Sequence, residues 1–241
     1  MNIQTSQFRK KLVYLLIILS FIPFLAFFII DSELNSHLSK LANLSGFIGA
    51  VFLIWQFLIG IRGFIKSITT DYDWAIKIHT FLGIGGGLFV LAHPILQNIL
   101  VSNSYFYIFN FNFSNEYTTF VSYGRIGFAI FLIVWLSSAV FRKVFTYRLW
   151  LYIHYLSYPM LFFTLIHPFK IGTLLNSNQF VLYYWYFLVL ISIVAIFYKI
   201  GDILNFSFKK FQVISKTNYQ GDIYTLEYKS EDKLPQITPG Q

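Results

Sequence analysis

The chain of 241 residues has no cysteine, only 10 acidic residues and only 12% charged residues in all. Without cysteine there is no disulfide framework, no thiolate metal site and no iron–sulfur cluster. The shortage of charge, set against 56% hydrophobic residues, leaves far more apolar side chain than one water-soluble core can bury. The chain therefore reads as an integral membrane protein lying in a lipid bilayer. A basic patch or stripe is also missing, so the formal net charge of +8 is read as membrane orientation and not as a nucleic-acid partner.

What is present is a series of long apolar runs rich in aromatic residues, with 29 Phe and 17 Tyr. Leu12–Ile30 follows Arg9-Lys10-Lys11 and carries Pro23, a kink site. It is long for a secretory signal and no small-residue cleavage site follows it, so it is expected to be a retained first span. Further spans are expected at Leu44–Phe64, Ile76–Val101, Val121–Val140, Trp150–Ile171 and Phe180–Ile203, which makes an all-α bundle of six transmembrane helices. Asp31–Lys40 reads as a polar loop in which His37 is solvated. Lys and Arg crowd the N-terminus, the second and fourth loops and the stretch after the last span, whereas the other loops offer only Lys40 and Lys170. The positive-inside rule then makes both termini cytoplasmic, in a plasma (inner) membrane.

Two spans carry paired histidines. His79 and His93 are 14 residues apart and His154 and His167 are 13 apart. At ~1.5 Å per residue each pair covers roughly 20 Å of a hydrocarbon layer about 30 Å thick. In the topology above both spans run outward, so His79 matches His154 in depth near the inner face and His93 matches His167 near the outer face. Ionisable side chains inside a span are costly and mark function. Two facing imidazole pairs suit the two axial positions of two stacked haems, held non-covalently, whereas zinc needs further ligands and these spans contain no Asp, Glu or Cys. A proton relay would normally include buried carboxylates, which are likewise missing.

The spacings differ in one respect. Fourteen residues fall about 40° short of four turns, so His79 and His93 share a face, whereas thirteen fall about 140° short. Either Pro159 changes the winding between His154 and His167, or these two ligands approach from different sides. Gly83 and Gly86 lie near the His79/His93 face and are expected to leave clearance for bulky rings, with plain helix packing as the competing reading. Arg125 opens the fourth span at the outer face, as a partner for an outer haem propionate or as a snorkelling interfacial cation. After the last span, Phe211–Ser215 and Tyr224–Tyr228 alternate with period two around a turn-like 218–222, as two strands of a β domain would.

On the six spans, the His79/His93 and His154/His167 spacings, the His93-Pro94 and His167-Pro168 pairs and the closing Pro239-Gly240-Gln241, the sequence resembles the ferric reductase and NADPH oxidase superfamily. That resemblance implies a haem domain over residues 1–206 and, over 207–241, the start of an FAD-binding barrel that Pro239, Gly240 and Gln241 would continue. It implies two haem b, with His79 and His154 on the inner iron and His93 and His167 on the outer. It also implies electron transfer from a cytoplasmic FAD and NAD(P)H donor to oxygen or ferric iron outside. The barrel is truncated and no nicotinamide domain follows, so the flavin and nicotinamide sites are expected on residues missing from this chain or on a partner, and the chain alone is not expected to accept hydride. Competing readings are a haem-bearing anchor serving a separate periplasmic reductase and a haem-free, histidine-lined transporter.

Overall fold

A computed structural model describes residues 3–30, 37–101, 108–204, 211–218 and 223–230. Pro239, Gly240, Gln241, the turn at 219–222 and parts of the first and third loops lie outside these. The chain divides into two units, Met1–Ala195 and Ile196–Gln241.

The first apolar run is not one helix. It divides into α1 (Ile3–Leu19) and α2 (Ile22–Ile30), with the break at Ser20 and Phe21. Pro23 has no N–H to return to the Leu19 carbonyl, so the helix cannot continue unbroken through it. Polar groups of Ser20 at the break find partners, as burial in lipid requires. The Ser20 hydroxyl donates to the Ile17 carbonyl at 2.6 Å and accepts from Trp55 Nε1 at 3.0 Å, and the Ser20 carbonyl accepts the Tyr184 hydroxyl at 2.7 Å.

α3 (His37–Ile59) begins earlier and ends earlier than the expected second span, so His37 is its exposed first residue and not part of a loop. A separate short helix, α4 (Arg62–Ile68), follows, and Asp71 then caps α5 (Tyr72–Val101) by accepting the Trp74 N–H at 3.1 Å. Pro94 sits inside α5 without interrupting it. α6 (Glu116–Ala139) starts in a capping box in which Asn115 and Thr118 satisfy one another's backbone N–H groups.

The expected fifth span is a chain of shorter pieces: α7 (Tyr147–Tyr155), α8 (Ser157–Ile166), α9 (Pro168–Ile171) and α10 (Thr173–Ser177). It is interrupted at Leu156, three residues before Pro159, and again at His167, directly before Pro168. α11 (Gln179–Ile203) is continuous. Among the described residues, five stretches are long and apolar enough to cross a membrane: His37–Ile59, Tyr72–Val101, Glu116–Ala139, Tyr147–Ile171 and Gln179–Gly201.

Three layers of packing hold the first unit. At one end Val13 and Ile17 of α1 meet Ile59, Ile65, Ile68, Ala75, Ile78 and Leu82. In the middle Leu53, Phe131 and Met160 form a core from α3, α6 and α8. Phe24 of α2 stacks on Phe47 of α3, and both meet Trp185 of α11 edge-on. Polar contacts gather the loops into two groups. Ser6 bonds Thr69, Arg9 bonds the Ser67 carbonyl and Lys10 pairs with Asp71 at one end, while Asn43 bonds Thr173 and Lys170 pairs with Glu116 at the other.

In the second unit, β1 (Phe211–Asn218) and β2 (Tyr224–Ser230) pair antiparallel, Phe211 with Ser230 and Asn218 with Tyr224, with an irregularity between Val213 and Ser215. Both expected strands are therefore present, β1 running three residues further than expected. Ser215 donates to Glu227 at 2.8 Å across the ladder.

The Lys10–Asp71 contact, at 2.7 Å, lowers the Asp71 pKa below the usual carboxylate value, first through the hydrogen bond from Lys10 and then through the Trp74 N–H. A lowered folded-state pKa stabilises the fold above the unfolded value and is lost as pH falls through the folded one. Asp71 is half exposed, so the pair contributes at most about 1 kcal/mol. Asp71→Asn is expected to lower the melting temperature of the detergent-solubilised protein slightly at pH 7, with the difference from wild type vanishing toward pH 3. An equal difference at both pH values would show that the ion pair is not its source.

Candidate functional site

The four span histidines come together in two pairs, at two levels of the first unit. His79 and His154 have ring centroids 6.2 Å apart with planes at 57°. His93 and His167 have centroids 6.3 Å apart with planes at 51°. These are the pairs expected from matching depth. The middle core of Leu53, Phe131 and Met160 lies between the levels, reinforced by Phe128 and Trp135 along α6.

The α5 histidines are held by α3. His79 Nδ1 lies 2.9 Å from the Gln56 carbonyl, and His93 Nδ1 lies 2.7 Å from the Ala42 carbonyl. A carbonyl only accepts, so each Nδ1 carries the proton and each Nε2 keeps its lone pair. Ala42 and Gln56 are themselves 14 residues apart, the spacing of the two histidines, because α3 and α5 run antiparallel at constant register. One helix register thus satisfies both bonds.

A glycine follows each accepting carbonyl by four residues, Gly46 after Ala42 and Gly60 after Gln56. A helical Cβ leans back toward the preceding turn, the direction from which the imidazole approaches its carbonyl. A Cβ on Gly46 would lie 2.8 Å from His93 Nδ1, and one on Gly60 would lie 3.7 Å from His79 Cε1. On the opposite side, Gly124 of α6 makes room for His167, whose Cδ2 would be 3.1 Å from an added Cβ.

Gly83 and Gly86 sit otherwise than expected. A Cβ on Gly83 would lie 2.5 Å from Gln56 Nε2, and one on Gly86 would lie 2.5 Å from Phe52 Cβ. Both glycines share the histidine face, but α3 fills that face between the two levels. They permit close helix approach and leave no clearance for a ring.

The stretch that carries His154 and His167 answers the winding question through its breaks. The interruption at Leu156 separates His154, near the end of α7, from α8, and His167 lies at the next interruption. With the helix broken, a 13-residue separation no longer fixes the angle between the two side chains, and each imidazole faces its partner on α5. His167 Nδ1 lies 3.3 Å from the Phe163 carbonyl one turn back, and His154 Nδ1 lies 3.4 Å from the Ser138 hydroxyl.

Arg125 is buried and donates to the Asn110 carbonyl of the third loop. It lines a cavity with Gly46, Gly124, Phe131 and the outer pair, His93 and His167. It is not extended along the bundle surface as a snorkelling side chain would be.

Each pair brings two imidazoles together in an apolar setting. Two imidazoles bound to one metal atom through bonds of about 2 Å have ring centroids about 6 Å apart, which both pairs meet. Groups of three or more His, Asp or Glu that could share a metal do not occur among the described residues. The donor set therefore fits a metal that brings its own equatorial ligands, as haem iron does, and does not fit bare zinc.

The fold and site define a helical membrane protein with imidazoles paired at two levels. Residues 45–165 match the family of ferric reductase like transmembrane components, and the chain belongs to that family. The match takes in α3 to α8 with His79, His93 and His154, and it ends two residues before His167. Membership points to oxidoreductase chemistry and transmembrane electron transfer in general. Comparison with curated proteins and with solved structures gives no match.

Gly46 and Gly124 escaped the histidine spacing argument because they lie on neighbouring helices. For Gly46 the usable signal is its position four residues after Ala42, repeated by Gly60 after Gln56. Gly46→Ala is expected to push the His93 ring off its carbonyl and to destabilise the protein by roughly 1–3 kcal/mol. Gly85→Ala, whose Cβ would meet nothing nearer than Phe52 at 3.8 Å, is expected to be neutral or to stabilise by up to about 1 kcal/mol. Thermal unfolding of both variants in detergent checks the contrast, and equal behaviour would remove the steric argument.

Proposed function

We propose that this chain is a transmembrane electron-transfer module that holds two haem b, the inner between His79 and His154 and the outer between His93 and His167. The observation that carries this reading is the pair of ring separations, 6.2 and 6.3 Å, at two levels of one bundle. When bound, haem supplies a one-electron iron couple, and imidazole at both axial positions favours electron transfer over substrate binding at iron.

The chain's own residues orient and insulate these positions. The Ala42 and Gln56 carbonyls hold His93 and His79 in the tautomer that leaves Nε2 free to ligate. Leu53, Phe131 and Met160 keep water out between the two levels. Arg125, buried beside the outer pair, is suited to an outer haem propionate.

In this reading α1 and α2 together make a first span, for six in all, with both termini cytoplasmic in a plasma (inner) membrane. The contacts at the helix ends support it, because α1 bonds the segment between α4 and α5, and the start of α3 bonds the start of α10, as alternating crossings require. Residues 1–206 form the haem domain and 207–241 the start of a flavin-binding barrel, of which β1 and β2 are a hairpin. Electrons come from a cytoplasmic FAD and NAD(P)H donor and leave to oxygen or ferric iron outside.

The test is the spectrum of the purified protein. A Soret band with a low-spin bis-imidazole signature is expected, losing about half its intensity in His93→Ala or His167→Ala and the other half in His79→Ala. Protein supplied with haem yet lacking a Soret band would sink the proposal, and one surviving haem in the double variant His79→Ala/His93→Ala would sink the pairing.

A further inference from the structure

We propose that Trp150 and Arg142 form a positioning cluster on His154 that, with the weak acceptor Ser138 standing where the other three histidines have a carbonyl, raises the redox potential of the inner centre relative to the outer one. The proposal rests on the haem reading above.

His154 is secured differently from the other three histidines. Trp150, one turn before it on α7, stacks on its ring with centroids 4.9 Å apart and planes at 26°. The Arg142 guanidinium lies 4.5 Å from the centre of the same indole, on the stretch joining α6 to α7. The indole Nε1–H donates to Ser138 Oγ at 3.1 Å, and that oxygen lies 3.4 Å from His154 Nδ1. His79, His93 and His167 each direct Nδ1 at a backbone carbonyl instead.

The chemical consequence follows from the acceptor. A carbonyl that takes the Nδ1 proton at 2.7–2.9 Å, as at His93 and His79, makes the imidazole a more basic ligand and favours the more positive metal state. The Ser138 hydroxyl is further away and already accepts from Trp150. It can also donate, so it does not fix the His154 tautomer as a carbonyl does. His154 is therefore the less electron-rich ligand, held in place by stacking more than by a hydrogen bond.

Arg142 adds to this in the same direction. A cation held on the indole that stacks on His154 favours the state of lower positive charge at the metal. Trp150 provides the geometry, binding Arg142 over its face, His154 by its stacking and Ser138 through its N–H. The inner centre thereby holds an incoming electron more firmly than its two imidazoles alone would allow.

The experiment is a spectroelectrochemical titration of the purified, haem-loaded chain, in which each ferric centre takes one electron to become ferrous. His79→Ala identifies the inner midpoint by removing it. Arg142→Gln is expected to lower that midpoint by about a tenfold change in the ferric/ferrous equilibrium, about 59 mV for one electron, and to leave the outer one in place. Arg142→Lys, which keeps the cation, is expected to restore most of the shift. Ser138→Ala is expected to raise the same midpoint, because Nδ1–H then has no acceptor.

Inner midpoints that stay at the wild-type value in Arg142→Gln and Ser138→Ala would overturn the cluster. So would both midpoints moving together, or Arg148→Gln producing the same shift as Arg142→Gln. A wild-type chain without a Soret band overturns the haem reading and this proposal with it, whereas haem-loaded variants with unmoved midpoints overturn this proposal alone.

Discussion

The register between α3 and α5 is the constraint on which the site depends. Two imidazoles on α5 reach two carbonyls on α3, and equal spacing on antiparallel helices lets one alignment satisfy both. The small residues of the contact serve that alignment. Gly83 and Gly86 let Gln56 and Phe52 approach α5 between the histidine levels, while Gly46 clears the route of His93 to the Ala42 carbonyl. A core of Leu53, Phe131 and Met160 then fills the middle depth. Burying polar groups is favourable only where they are bonded, and both α5 imidazoles are bonded to α3 carbonyls.

The partner strand solves the opposite problem. α7 and α8 are separated at Leu156, and Pro159 has no N–H to offer the Tyr155 carbonyl. What would be a defect in a packing helix is useful here, since an unbroken helix would point His154 and His167 away from one another. Pro168 ends α8 at His167 in the same way, and the imidazole returns to the Phe163 carbonyl. The break in the first span follows this rule too, with Tyr184 and Trp55 covering the groups freed near Pro23.

Much of the site was legible in the sequence because histidines inside apolar runs are rare and their spacing converts directly to depth. Loop charge sets an expected direction for each span, and that expectation pairs His79 with His154 and His93 with His167, the rings that lie 6.2 and 6.3 Å apart. The limits of that reasoning are equally physical. Gly83 and Gly86 were read from the helix that bears them, but a glycine's purpose is set by the neighbour, and the neighbour is Gln56 or Phe52. Gly46 carries its meaning in a carbonyl four residues back and a ring on another helix. Span ends also shifted where capping decided them, at Asp71 and Asn115, or where a proline split a continuous apolar run.

The two ligand strands divide precision and tolerance between them. A slip of α3 along α5 by a single residue, ~1.5 Å, would loosen the bonds at both levels together, since both depend on the same register. Inner and outer positions on α5 are thus coupled: a change that opens one Nδ1 bond through helix sliding opens the other. His154 and His167 share no such register, since each histidine finds its own second partner, Ser138 or Phe163. The asymmetry also explains why the more adaptable contacts, a hydroxyl at 3.4 Å and a carbonyl at 3.3 Å, fall on the broken strand, and the tight ones, at 2.7 and 2.9 Å, on the rigid helix.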